Sequence, residues 1–141
     1  MAFKLDLGAQ LDDWAKKSQA RMEAVYKGST QELISRAQQR IPVDTGFARA
    51  SIRASLEKMP EITSVNGEKH KQYSVDISSI ILVINSAKLG QTIYVGWTAK
   101  YVQQLEWGHS DQAPSGFIGV TALEWPQIVA GEIEKAKASV R

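Results

Sequence analysis

The sequence predicts an α+β fold in which a long N-terminal helix and a C-terminal helix pack on a mainly antiparallel sheet of about four strands. Three features indicate this fold: an apolar stripe at helical spacing over residues 7–41, β-branched runs in the middle of the chain, and a second helical stripe after Pro126. The 141 residues, of which 43% are hydrophobic, are expected to form a single domain over 1–141 with one core.

The first predicted element is the helix over 7–41. Its apolar residues recur at steps of three and four, and the residues between them are mostly charged or polar. The stripe weakens near Gly28, and glycine in a helix interior costs about 1 kcal/mol relative to alanine. The pattern therefore fits either one bent helix or two helices that meet near that glycine.

A turn is predicted directly after this helix. Pro42 ends the helix because proline has no amide hydrogen and disfavours a helical residue before it. The side chains of Asp44 and Thr45 can accept backbone hydrogen bonds, and Gly46 can take a positive φ. The alternation of apolar and polar residues over 52–57 then predicts the first strand.

The rest of the chain predicts three more strands and two more helices. The predicted elements are strands at 74–85, 92–97 and 117–120, a short helix at 99–107, and a last helix from 126 to about 139. The strand at 74–85 is predicted from its β-branched run and is expected to form a hairpin with the strand at 92–97. Gly108 is expected to cap the short helix at its C-terminus.

Composition restricts the classes of function. The net charge of +2 lies far below the basic excess of a dedicated nucleic-acid binder, and the absence of cysteine excludes disulfides and thiolate metal sites. The N-terminus has no apolar core of signal-peptide length, and no apolar stretch is long enough to span a membrane. We therefore expect a soluble protein, used inside the cell that makes it, with no membrane partner.

Candidate catalytic groups cluster in one short segment. Glu106, His109, Ser110 and Asp111 could supply an acid, a base and a nucleophile, but residues so close in sequence rarely converge on one substrate atom. The two histidines, His70 and His109, are not at ligand spacing from other donors, and no glycine-rich phosphate loop precedes a helix. The sequence predicts no catalytic residue, no metal and no cofactor.

Two sets of side chains are candidates for binding. The arginines that bracket the turn are Arg36, Arg40, Arg49 and Arg53. They could face DNA phosphates, or they could form a solvated face that pairs with acidic residues within or between subunits. The four tryptophans are Trp14, Trp97, Trp107 and Trp125, and they are expected to be core or subunit-interface anchors.

Three segments resemble the motifs of one protein family. In order, these segments are Ile-Pro-Val-Asp-Thr-Gly-Phe-Ala-Arg-Ala-Ser at 41–51, Tyr-Val-Gln-Gln-Leu-Glu-Trp-Gly at 101–108 and Ala-Pro-Ser-Gly-Phe-Ile at 113–118, and they resemble motifs of the neck and tail-completion proteins of tailed phages. The resemblance implies roles in the motif or in assembly for Pro42, Asp44, Thr45, Gly46, Arg49, Tyr101, Glu106, Gly108 and Pro114.

The resemblance implies a structural protein of the virion and not an enzyme. Such a subunit forms a ring at the neck or tail end that joins head and tail, with a hexamer expected and a dodecamer as the other arrangement. Its partners would be other copies of itself, other neck and tail proteins and, in passing, the genomic DNA. It would be assembled in the host cytoplasm.

A mechanical role for the turn follows as a hypothesis. The turn at 44–46 is expected to fix the angle between the long helix and the sheet, with Glu106 holding the turn through a polar contact. Replacement of Gly46 by valine should then block assembly.

Two other functions are compatible with parts of the sequence. A DNA-contacting accessory protein without sequence preference would use the arginine set. An aspartic peptidase built on Asp44 would need a second catalytic aspartate, and the chain has no second Asp-Thr-Gly or Asp-Ser-Gly, although a homodimer could supply one.

Overall fold

The structure is a computed structural model that describes residues 7–44, 46–62, 72–108, 112–113 and 115–139. In chain order its elements are α1 (Leu7–Arg40), α2 (Phe47–Ala50), β1 (Ile52–Ser55), α3 (Ile77–Ser86), β2 (Tyr94–Trp97), α4 (Val102–Glu106), α5 (Ile118–Ala122) and α6 (Trp125–Ser139). The predicted combination of helices with an antiparallel sheet is confirmed.

The long N-terminal helix is one continuous element. Its 34 residues give α1 a length of about 51 Å at 1.5 Å per residue. Gly28 does not break it but lies against α6, where an added Cβ would come within 2.6 Å of the Glu132 carboxylate. The predicted end at Pro42 is confirmed: α1 stops at Arg40, after which the Ile41 amide still donates to the Ala37 carbonyl at 3.0 Å.

The last predicted helix is also confirmed, as α6, which packs antiparallel to α1. Glu132 of α6 lies beside Gly28, and Glu124, just before α6, binds Arg36 and Arg40 further along α1. Ile128 of α6 is buried. The pairing therefore covers the C-terminal half of α1 and leaves its N-terminal turns beyond the end of α6.

The sheet differs from the prediction. The strands predicted at 52–57 and 92–97 exist as β1 and β2, and they pair with each other in antiparallel register, with Ile52 opposite Trp97 and Ala54 opposite Val95. The sheet in the described residues has these two strands, so the prediction of about four strands is wrong. The predicted hairpin is also wrong, because the partner of β2 is β1.

The segment predicted as a central strand forms α3. Its buried residues Ile80 and Ile84 are four positions apart, and α3 packs against α1 and β1. At its start, the Ser78 hydroxyl donates to the Asp76 carboxylate at 2.5 Å and the Ser79 hydroxyl to the Asp76 carbonyl at 3.1 Å. A short run of β-branched residues fits a strand or a buried helix, and here packing on α1 favours the helix.

The strand predicted at 117–120 is helical as well. It forms α5, whose first amides are bound by the Glu106 carboxylate. A carboxylate at this position satisfies amides that have no partner within the helix, and it interacts favourably with the helix dipole. This long-range contact stabilises a helix that the local sequence does not signal.

One hydrophobic core lies between α1, the sheet and the short helices. Its buried members are Ile34, Ala37, Ile41, Ala48, Ile52, Ile80, Ile84, Trp97, Ala99, Val102 and Phe117. The Trp97 and Phe117 rings meet edge to face with centroids 5.1 Å apart, and the Trp97 indole donates to the Gln38 side-chain oxygen at 2.7 Å. Trp97 is thus a core anchor, as predicted.

No helix in the described ranges combines the length and hydropathy needed to cross a bilayer.

Candidate functional site

The first two motif segments meet in the folded chain, although they are more than fifty residues apart in sequence. The Val43 amide donates to the Gln112 side-chain oxygen at 2.9 Å, and the Gln112 side-chain nitrogen donates to the Val43 carbonyl at 3.1 Å. The Ala48 amide donates to the Tyr101 hydroxyl oxygen at 3.1 Å. We call this connected region, made of the described residues among 42–50 and 101–119, the motif cluster.

Gly46 is the tightest point of the cluster. It is buried and has a φ of 85°, so the predicted positive φ is confirmed. An added Cβ would lie 2.8 Å from the Tyr73 carbonyl oxygen. Its own carbonyl accepts from the Ala50 amide at 2.9 Å, which starts α2. The turn therefore needs glycine both for its backbone angle and for its close approach to residue 73.

The other turn residues lie around Gly46. Pro42 is buried and Asp44 is exposed, while Thr45 lies outside the described residues. Burial raises the pKa of the Tyr101 hydroxyl. The hydrogen bond that this hydroxyl accepts from the Ala48 amide opposes the rise. The hydroxyl is therefore neutral at pH 7 and serves as an acceptor that holds α2.

Glu106 contacts the start of α5 in the described part of the chain, and its expected contact with the turn, which includes the undescribed Thr45, stays a prediction. Its carboxylate accepts from the Ile118 amide at 2.8 Å and from the Gly119 amide at 3.3 Å, at the start of α5. Gly116, with a φ of 81°, packs directly against the side chain and the carbonyl oxygen of Glu106. Tyr101 makes the contact near the turn, because the end of α4 directs Glu106 towards the unpaired amides of α5.

Gly108 has the predicted role of a C-terminal cap. It follows α4 with a φ of 84°, and its amide donates to the Leu105 carbonyl at 3.2 Å. Pro114 and the three polar residues His109, Ser110 and Asp111 lie outside the described residues.

The four arginines do not form a single basic face. Arg36 donates to Glu124 at 2.5 Å and to Glu32 at 2.9 Å, and Arg40 also binds Glu124. Arg53 donates to the carbonyls of Ala50 and Ile52. Sequence reasoning did not pair these arginines with Glu124, because Glu124 is more than eighty positions away.

Arg49 lies elsewhere, beside a groove between α1 and α3. Gln38 donates to its carbonyl at 3.0 Å, and its side chain borders the groove. Its Nε atom is buried without a hydrogen-bond acceptor in the part of the chain that the structure describes. It is therefore a cationic group that an incoming acceptor could satisfy.

The shared carboxylate gives a pH-dependent prediction. Hydrogen bonds from Arg36 and then from Arg40 lower the pKa of Glu124. A depressed carboxylate pKa contributes stability that is fully present above the unfolded-state pKa and is lost as pH falls through the folded-state pKa. We expect Glu124→Gln to be less stable than wild type in urea at pH 7, with the difference shrinking in the acid range.

The control for this prediction is Glu134→Gln. Glu134 pairs with Lys137 on the surface at 3.5 Å, and both side chains are exposed, so its removal should change stability little at either pH. Equal urea denaturation curves for Glu124→Gln and wild type at pH 7 would show that the contacts of Glu124 with Arg36 and Arg40 contribute nothing to stability.

Large apolar side chains are exposed at several places in the described part of the chain. The most exposed are Leu123 (81%), Trp107 (69%), Leu82 (68%), Trp14 (67%) and Leu11 (64%). Exposed apolar residues of this size mark contact surfaces when they group on one face. Leu11 and Trp14, one turn apart on α1, form such a group.

The site offers no arrangement for metal chemistry in the regions described. No three His, Asp or Glu side chains converge there, and His70 and His109 fall outside these regions. The side chains of Gln112, Tyr101 and Glu106 instead bind backbone groups of the chain itself.

Comparison with models of protein families, with curated proteins and with solved structures found no match in any of the three. The resemblance to phage neck and tail-completion proteins therefore stays a prediction from the motifs.

Proposed function

We propose that this chain is a structural subunit of a tailed phage particle, of the neck or of the tail-completion and tail-terminator kind, that forms a ring joining head and tail. The observation that carries the proposal is the motif cluster. Segments chosen only for their resemblance to that family are neighbours in space and are linked by the hydrogen bonds of the Ala48 and Ile118 amides.

The chemistry of the cluster favours a structural role over catalysis. Two reactive side chains of the motifs, Tyr101 and Glu106, each accept hydrogen bonds from backbone amides of the same chain. A catalytic base or nucleophile needs a reactive atom that is not engaged within the protein and that faces the substrate. These two side chains instead fix the positions of α2 and α5.

The surface favours assembly. Leu11 and Trp14 expose a large apolar area on the N-terminal part of α1. Burial of such area against another subunit removes it from water, at roughly 25 cal/mol per Å². Partners would be further copies of this chain, as a hexamer or a dodecamer, and other neck and tail proteins, with passing contact to the genomic DNA. The place of action would be the neck or tail end of the virion, after assembly in the host cytoplasm.

The test is the mass of the purified protein by light scattering, followed by electron microscopy of any large species. Discrete closed rings of six or twelve copies are the expected result, and the images give the symmetry. A protein that stays monomeric at its highest soluble concentration would contradict the proposal.

The alternative is a DNA-contacting accessory protein that uses Arg36, Arg40, Arg49 and Arg53. Duplex binding measured by anisotropy at low and at high salt separates the two functions, because phosphate contacts release counterions and weaken steeply with salt. For a ring subunit we expect weak binding at both salt concentrations, since Glu32 and Glu124 together compensate the charges of Arg36 and Arg40. Tight binding with a steep salt dependence would favour the alternative.

A further inference from the structure

The hydrogen bonds of the two-stranded sheet define which backbone groups face outwards. The Thr98 amide donates to the Ser51 carbonyl at 3.1 Å, directly beyond the last pair of the β1–β2 ladder. Backbone groups along an antiparallel strand point alternately towards and away from the partner strand. The amides and carbonyls of Val95 and Trp97 therefore point away from β1, along the outer edge of β2.

The outer edge of β1 is covered, whereas that of β2 is open. Ile52 points away from β2, and its carbonyl accepts from the Arg53 side chain at 2.7 Å, while α3 packs against β1. The backbone amides and carbonyls of Val95 and Trp97 have no partner among the residues that the structure describes. Unpaired groups of this kind can take a further strand from another chain.

A groove of about 340 Å³ lies beside this open edge. Its lining includes Leu33 of α1 and Ile118 of α5, and no charged side chain of the described residues takes part in it. Tyr26 closes one end, because its hydroxyl accepts from the Ile93 amide at 3.2 Å. We call this space the edge groove. It suits an extended segment that pairs with β2 and carries apolar side chains two positions apart.

The sequence just before α1 has this pattern. Phe3 and Leu5 are two positions apart, and charged residues alternate with them. In a strand this alternation places both apolar side chains on one face. The two open positions of β2, Val95 and Trp97, are also two residues apart. An added strand can therefore pair with both positions and direct both apolar side chains into the edge groove.

This segment cannot reach the edge groove of its own chain. α1 begins at Leu7, and Tyr26, at the near end of the groove, lies about 28 Å further along the same continuous helix. The four residues from Phe3 to Leu7 span at most about 14 Å when fully extended. Residues 8–17 of α1 are exposed, so the helix carries its first residue away from the body of the protein. The groove that the segment can enter is that of another copy.

We propose that residues 3–5 of each subunit add as an antiparallel strand to the outer edge of β2 in the next copy of the chain, with Phe3 opposite Trp97 and Leu5 opposite Val95. Main-chain hydrogen bonds and the burial of two apolar side chains hold the contact. It joins two different surfaces, so it is head to tail, and repetition gives a closed ring or an open filament. The inference rests on the proposed function, which requires the closed form.

The first test uses the absence of native cysteine. Full-length Leu5→Cys and full-length Val95→Cys are mixed in equal amounts and oxidised mildly. Opposite residues of an antiparallel pair have Cα atoms about 4.5–5.5 Å apart, which a disulfide can span. We expect a dimer of the two different chains to dominate. The matched control is Lys4→Cys, whose side chain would point to the other face of the strand, and it should give at least severalfold less dimer with Val95→Cys.

The second test asks for strand pairing itself. The receptor is the full-length variant Phe3→Ser with Leu5→Ser, and the probe is a labelled synthetic peptide of residues 1–8, whose binding is followed by fluorescence anisotropy. In the proposed pairing the Leu5 amide donates to β2, and the Lys4 amide points away from it. Methylation of the Leu5 amide nitrogen should weaken binding about tenfold or more, whereas methylation of the Lys4 amide nitrogen should leave it within about twofold.

Each other outcome overturns a defined part. Equal binding of the two methylated peptides contradicts strand addition, and strong dimers of Leu5→Cys alone indicate pairing of two N-terminal segments instead. If Phe3→Ser with Leu5→Ser forms rings as readily as wild type, the docking is wrong and the ring function remains. Mixed disulfides in open filaments support the docking and contradict the ring function. A wild-type protein that stays monomeric, together with a peptide that does not bind, contradicts both.

Discussion

Gly46→Ala is expected to lower the free energy of unfolding by about 2–4 kcal/mol. The residue has a φ of 85°, a conformation that costs a residue with a side chain about 1–2 kcal/mol. The new Cβ would also meet the Tyr73 carbonyl oxygen at 2.8 Å, and a backbone atom cannot turn away as the end of a side chain can. Urea denaturation measures the loss.

Gly90→Ala separates the cost of the left-handed backbone angle from the cost of the contact with Tyr73. Gly90 has a similar φ of 95°, but an added Cβ there meets nothing within 4 Å. Its substitution should cost only the backbone part, about 1–2 kcal/mol. If both variants lose the same free energy of unfolding, the close approach of residue 46 to the Tyr73 carbonyl contributes nothing to stability.

Gly46→Val, which adds a branched side chain at the same point, is expected to abolish ring assembly.

Gly116→Ala should be more damaging, with an expected loss of about 3–5 kcal/mol in the same denaturation experiment. Its φ of 81° is again left-handed, and the added Cβ would overlap both the carboxylate and the carbonyl oxygen of Glu106. The side chain of Glu106 would have to move, and the amides of Ile118 and Gly119 would lose their acceptor. Both the loop and the start of α5 would be destabilised.

A double-mutant cycle tests this mechanism. Glu106→Ala alone removes the acceptor at the start of α5 and should cost about 1–2 kcal/mol. In the double variant Glu106→Ala with Gly116→Ala, the side-chain part of the clash is absent, so the loss should be smaller than the sum of the two single losses. Strict additivity would show that the two residues do not act through their contact.

The candidate residues were found from the sequence, but most of their partners were not. The motifs identified Gly46, Tyr101 and Glu106, and the turn chemistry predicted the positive φ of Gly46. The contact of Glu106 with the start of α5 was not predicted, because this segment had been predicted as a strand. Likewise, the four arginines share a stretch of sequence but separate in space.

The groove between α1 and α3 was not predicted, because residues 74–85 had been predicted as a strand. It depends on the exposed Ile77 and Ile81 lying beside α1, and this follows only if residues 77–86 are helical. A strand over these residues would place alternate side chains on opposite faces and remove the groove wall.

The sequence by itself determined the elements with strong local signals: α1 and its end at Pro42, the turn at Gly46, the two strands β1 and β2, the cap at Gly108 and the last helix α6. Periodicity, proline and glycine act within a few residues, so they can be read along the chain. The tertiary structure alone decided that α3 and α5 are helices and that β1 pairs with β2. It did so because burial against α1 and the Glu106 contact supply free energy from residues distant in sequence, which outweighs local β propensity.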